Sequence, residues 1–113
     1  MKSALGLLLA AVMLSAILFA ENAGSAPAVG KKVFVANCAT CHGADGKGTS
    51  TGRAMGVKDL HAPEAVKMTN AQMKQLISNG KGNMPPWKGQ LSEAQINEVA
   101  AFVRSLRKGA PAK

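Results

Sequence analysis

The chain has 113 residues, with 14 Lys and Arg against 6 Asp and Glu and only two cysteines. That length suits one domain. A formal charge of +8 at pH 7, without an aromatic-interleaved basic stripe or a recognised binding module, argues against nucleic acid and makes an acidic protein surface the complementary partner.

The first predicted element is an export signal. Met1-Lys2-Ser3 precedes an uncharged apolar run from Ala4 to Ala20, and the next basic residue is Lys31. One Lys before such a run is the pattern of a secretory signal peptide. Ala20 is one candidate for the last residue removed, and Ala26-Pro27-Ala28 offers a second small-x-small site. An uncleaved membrane anchor is the alternative. At ~1.5 Å per residue the run reaches ~25 Å, short of a ~30 Å hydrocarbon core, which favours cleavage and an exported, periplasmic protein. The expected organisation is a signal at 1–20, a flexible leader at 21–28, a folded domain at 29–108 and a disordered tail at 109–113. Past the apolar run there are one Trp, no Tyr and two Phe, Phe34 and Phe102. A domain of about 85 to 93 residues with so few large side chains needs a staple such as disulfides, a metal or a cofactor.

Val29 to Asn37 reads as a short helix feeding Cys38, with Val33, Phe34 and Ala36 as its apolar residues. Gly30 and Phe34 are four apart and share a face, and a glycine there lets another backbone come close. Next comes Cys38-Ala39-Thr40-Cys41-His42, the attachment signature of a c-type haem. Each thiol can bond one vinyl group, and the adjacent imidazole can ligate the iron. Other uses of the two cysteines fit less well. A Cys38–Cys41 disulfide closes too small a loop to staple much. A thioredoxin-like pair needs a βαβ context, and the chain shows no strand alternation. Zinc would have to draw on Cys38, Cys41, His42 and His61, and His42 directly after Cys41 makes tetrahedral ligation awkward.

Gly43 to Gly52 is a loop on composition, and Arg53 to Lys67 is expected to hold a short turn of helix around Pro63. Thr69-Asn70-Ala71-Gln72 is a capping-box pattern that opens a helix carrying Met73, Leu76 and Ile77, stopped by Asn79-Gly80. Gly82 to Gly89 is a stiff loop containing Met84-Pro85-Pro86. Ser92-Glu93-Ala94-Gln95 is a second capping box, and Ile96, Val99, Ala100 and Val103 continue a helix with Phe102 and Leu106 beside the stripe. Its last turn gathers Arg104, Arg107 and Lys108, where the helix dipole favours cations. The fold class is therefore all-α: three principal helices joined by long loops that cover a cofactor.

Candidates for the sixth iron position are His61, Met55, Met68, Met73 and Met84, or the position is open. A single Met is more often core than ligand, and Met73 lies on its helix's apolar stripe. Met84 instead sits in a loop that Pro85 and Pro86 stiffen, the rigid presentation that a weakly binding thioether needs. Met84 is the expected ligand.

Two segments carry a family resemblance. They are Gly30-Lys31-Lys32-Val33-Phe34 with Cys38-Ala39-Thr40-Cys41-His42-Gly43, and Asn79-Gly80-Lys81-Gly82-Asn83-Met84-Pro85 with Leu91-Ser92 leading to Val99-Ala100-Ala101-Phe102-Val103. In these the chain resembles the class I c-type cytochromes, the small soluble monohaem proteins of bacteria and algae. The resemblance implies a cytochrome c fold around one covalent haem c. Cys38 and Cys41 would form the thioethers, His42 would be the proximal and Met84 the distal iron ligand, and the first and last helices would cross at Gly30 and Phe34. It also implies one-electron transport between redox proteins, with no small-molecule substrate and no enzymatic activity. Contact with a membrane would come only through partners unless the signal is retained. The alternatives are an anchored cytochrome subunit of a respiratory complex and a peroxidase-like or gas-binding protein with an open iron. Many family members carry a proline in the loop after the haem motif, near a carbonyl that binds the proximal imidazole. Here none occurs between His42 and Pro63, and a carbonyl of the Thr49–Gly52 stretch is expected to substitute.

Overall fold

The computed structural model describes residues 26–108. The expected signal peptide, residues 21–25 of the leader and the 109–113 tail lie outside the described residues. Six helices follow one another: α1 Ala26–Asn37, α2 Ala39–His42, α3 Ser50–Ala54, α4 Pro63–Val66, α5 Asn70–Asn79 and α6 Glu93–Lys108. Among the described residues there is no strand, only isolated bridges at Lys81–Met84 and Lys88–Leu91, and no helix is long and apolar enough to cross a membrane. Among the described residues the three longest helices, α1, α5 and α6, are the three expected from the sequence.

The core is built where α1, α5 and α6 meet. Val33 and Phe34 from α1, Met73 and Ile77 from α5, and Ile96, Val99, Ala100 and Val103 from α6 are all buried. These α5 and α6 residues recur at helical spacing, so each helix has one apolar face and turns it inward. Phe34 and Val99 are almost fully covered, and burying a side chain of that size stabilises by roughly 1.5–3 kcal/mol. The rings of Phe34 and Phe102 lie 5.3 Å apart at 54°, a tilted pairing that adds about 0.5–1.5 kcal/mol beyond area.

Gly30 makes this crossing possible. A Cβ there would overlap the main-chain carbonyl of Glu98 and stand 2.9 Å from Phe102 Cβ. The two backbones touch because no side chain separates them.

Both predicted capping boxes form. The Thr69 hydroxyl accepts from the Gln72 N–H at 3.2 Å, and the Gln72 carboxamide accepts from the Thr69 N–H at 2.9 Å. Ser92 and Gln95 repeat the exchange at 3.1 and 2.9 Å. Each box satisfies two N–H groups that a helix start leaves bare. At the other end of α5, Trp87 N–H donates to the Ile77 carbonyl and Lys88 N–H to that of Ser78, so the following loop is folded back onto the helix terminus.

Two boundaries differ from expectation. α1 begins at Ala26, inside the stretch taken as leader. α3 begins at Ser50, inside the stretch taken as loop. Thr49 explains the second: its hydroxyl accepts from Gly52 N–H at 2.9 Å, an N-cap that starts a helix on poor helix formers. The short turn expected near Pro63 is α4, with Pro63 in its first turn, where its missing N–H costs nothing.

Gly30→Ala should lower stability by about 2–3 kcal/mol, the cost of overpacking a crossing that only backbone movement can relieve. Its urea midpoint checks this; a midpoint equal to the parent's would mean that the helices are free to separate.

Candidate functional site

The segment from Cys38 to His42 follows directly on α1. Cys38 N–H donates to the Phe34 carbonyl at 2.8 Å, so the core helix runs directly into the first cysteine. The Cys38 carbonyl then accepts from Cys41 N–H at 3.2 Å and from His42 N–H at 2.9 Å. Residues three and four apart on such a turn share one face, so both thiols and the imidazole project together. Gly43, with φ +76°, ends the turn in a backbone conformation that other residues rarely adopt.

The environment of these groups is apolar. Cys38 packs against the core cluster, and desolvation pushes its thiol up to about 11. Neither cysteine is in a disulfide. Burial pulls the His42 imidazole below its ordinary value and holds it neutral, with a lone pair available. Its Nδ1 is buried with no hydrogen-bond partner among the described residues, an expensive state for a polar atom.

The carbonyl expected to take that proton does not do so. The Thr49, Thr51 and Gly52 carbonyls accept instead from Arg53, Met55 and Val57 N–H groups. Because the segment is helical from Ser50, its carbonyls point along α3 and not sideways at the ring.

A brace that the sequence did not announce holds the motif from behind. Thr49 N–H donates to the Cys41 carbonyl at 3.0 Å, and its hydroxyl donates to the Thr40 carbonyl at 2.8 Å. Gly48 N–H donates to the His42 carbonyl at 2.7 Å. Gly52 lies so close that a Cβ would overlap the Cys41 carbonyl group, 2.7 Å from its carbon. A hydroxyl residue followed three positions later by a glycine was the only available signal.

The expected distal candidates separate clearly. Met84 is half-buried and packs on the same core cluster as Cys38, although the two are far apart in sequence. It closes a tight turn in which Lys81 and Met84 exchange two backbone hydrogen bonds of 3.0 Å. Gly80 lets the chain double back: a Cβ there would stand 2.7 Å from the nitrogen of Pro86. Met73 is buried in the core, Met68 packs against it, and Met55 is exposed at 42%. His61 is tied to Asp59, with Nδ1 2.7 Å from the carboxylate and its main-chain N–H donating to the same oxygen at 2.8 Å. That contact holds the Asp59 carboxyl below its ordinary range. Among the described residues no three His, Cys, Asp or Glu side chains cluster as a metal site.

Comparison with known proteins agrees with this geometry. A family model described as cytochrome C oxidase, cbb3-type, subunit III matches residues 25–103. Cytochrome c6 of Leptolyngbya boryana is 43% identical over 67% of this chain and 87% of its own. The chain belongs to the class I c-type cytochromes.

Cytochrome c6 of a Nostoc species is 35% identical over 91% of this chain and 92% of its own. The cbb3-type oxidase subunit FixPc of Rhizobium leguminosarum bv. viciae is 40% identical over 71% of this chain, but the match covers only 28% of that protein. The chain thus spans about a quarter of the FixP-type relatives. Among solved structures, the KustC0563 c-type cytochrome superposes with a TM-score of 0.65 at 28% identity, covering 69% of this chain and 96% of that one. The cofactor of this cytochrome is covalent haem c. The residues present fit it: two free thiols on one face of a turn and a neutral imidazole beside them.

Thr49→Val keeps the side chain's shape but removes the cap and the tie to the Thr40 carbonyl. It should cost about 1–2 kcal/mol, read as a lower thermal midpoint, while Thr49→Ser should stay near the parent.

Proposed function

We propose that this chain is a one-electron carrier working between redox proteins outside the cytoplasm. The observation that carries the proposal is the convergence of Cys38 and Met84 on one apolar cluster, with Cys41 and His42 on the same turn as Cys38. In this reading Cys38 and Cys41 hold the cofactor through thioethers, His42 is the proximal ligand and Met84 the distal one. Bound haem c supplies a reversible ferrous–ferric couple, whose potential His and Met ligation raises.

The protein's own contributions follow from the site. Burial keeps His42 neutral and able to ligate. The turn closed by Lys81 and Met84 presents a weakly binding thioether at a fixed place. The apolar packing around Cys38 keeps water out and favours the less charged state of the site. In this reading His42 and Met84 would both hold the iron and leave a substrate no place on it, which is the arrangement of an electron carrier and not of an enzyme.

Partner docking is electrostatic in this proposal. Lys31, Lys32, Lys47, Lys58, Lys81 and Lys88 are all exposed. Of these, only Lys58 has an ion-pair partner among the described residues, Glu64 at 3.8 Å on the open surface, where a pair contributes little. The others are free to meet acidic groups on a redox partner. Such docking is weak and weakens further with salt. The apolar run at 4–20 is proposed to be the export signal that takes the chain to the periplasm.

The FixP-type matches and the cbb3-type family model favour a second setting, in which the same electron-carrying domain serves a respiratory oxidase complex and stays anchored. Intact mass of the purified protein separates the two, because it reports both signal removal and one attached haem.

Met84→Ala should leave haem attached, lower the reduction potential by on the order of 100 mV or more, within the ~0.8 V that axial ligation commands, and let cyanide or carbon monoxide bind readily. Unchanged voltammetry would remove Met84 from the ligand set. The double variant Cys38→Ala, Cys41→Ala should give largely unfolded apoprotein by circular dichroism, since so small a core lacks its staple. A cooperative, haem-free fold would show that the helices need no cofactor.

A further inference from the structure

The turn that carries Met84 is fastened at its base to α5. Gly80 N–H donates to Leu76, Trp87 N–H to Ile77 and Lys88 N–H to Ser78. Its tip has a different attachment. Asn83, directly before Met84, donates from its carboxamide nitrogen to the main-chain carbonyl of Met55 at 2.9 Å, across 28 residues of sequence. Among the described residues this is the one hydrogen bond joining residues 80–92 to residues 43–62.

Met55 is the C-cap of α3. Its carbonyl belongs to the group that a helix end leaves without an intrahelical partner, and Asn83 satisfies it. The opposite end of α3 is the Thr49 cap, bonded to the Cys41 carbonyl, and Gly52 rests on that same carbonyl. A short rigid helix therefore runs from the second cysteine to the tip of the distal turn. The path is Cys41, Thr49 and Gly52, α3, Met55, Asn83, Met84, and it passes through protein alone.

We propose that Asn83 is a positioning residue for Met84, latching the distal turn through Met55 and α3 to the cysteine–histidine segment. The proposal rests on Met84 being the distal ligand. A thioether binds iron weakly, so the population of sites with Met84 withdrawn is set by what holds its turn in place. The latch is an exposed bond, and its net worth is that of one ordinary hydrogen bond. Loss of it enlarges the open population about fivefold, the equivalent of about 1 kcal/mol at 1.4 kcal/mol per tenfold. An exogenous ligand that binds only the open form gains apparent affinity in proportion.

The test is an imidazole titration of the ferric holoprotein, followed by the weak red absorbance band that marks methionine ligation. Asn83→Ala removes the donor, and Asn83→Asp keeps the shape but replaces the donor with an acceptor. Both variants should retain the band without ligand and lose it at about fivefold lower imidazole than the parent. Met55→Ala should titrate like the parent, because the acceptor is main chain. Parent-like titration of both Asn83 variants, within twofold, overturns the latch and leaves Met84 ligation standing. A Met55→Ala shift as large as that of Asn83→Ala also overturns it, by moving the effect to the Met55 side chain. A parent protein with no red band removes Met84 ligation, and the latch falls with it.

Discussion

Everything in this molecule depends on how closely α1 and α6 approach. With no Cβ at Gly30, the Glu98 carbonyl comes against the backbone of α1, and Phe34 is driven into the α6 face beside Val99 and Phe102. Because α1 runs without a break into Cys38, the crossing also aims the cysteine–histidine turn. The direction of the site is thus set by a contact more than one helical turn away from it.

The two sides of the site are built by different means. The Cys38–His42 side is local: five consecutive residues on one turn, backed by Thr49 and Gly52. The Met84 side is assembled from a distance, by a turn hung on the end of α5 and drawn toward α3. Local geometry resists perturbation because each bond spans few residues. The Met84 turn relies on bonds between segments, which costs more chain entropy to arrange and leaves its position adjustable by single side chains.

Those two modes explain what could be read from the chain. The capping boxes at Thr69 and Ser92 are reciprocal bonds within four residues, so their pattern alone announces α5 and α6. The Cys38–His42 signature and the Pro-stiffened Met84 are likewise short runs. α3 was hidden because Ser50, Thr51 and Gly52 are weak helix formers, and only docking on the Cys41 carbonyl makes helix the better choice there. The contact of Asn83 with Met55 leaves no trace in either local sequence, since any residue supplies a main-chain carbonyl. For the same reason, the carbonyl anticipated for His42 was assigned to a stretch whose carbonyls turned out to be occupied within α3.

The bracing of the cysteine turn has a consequence for speed. Gly52 and Thr49 fill the space behind Cys41, so the Cys38–His42 segment has little room to shift when the charge beside it changes. A surrounding that is already arranged does not spend energy rearranging at the moment of transfer. Where that bracing ends, at the Met84 turn held by bonds between segments, lies the protein motion that gain or loss of an electron can still drive.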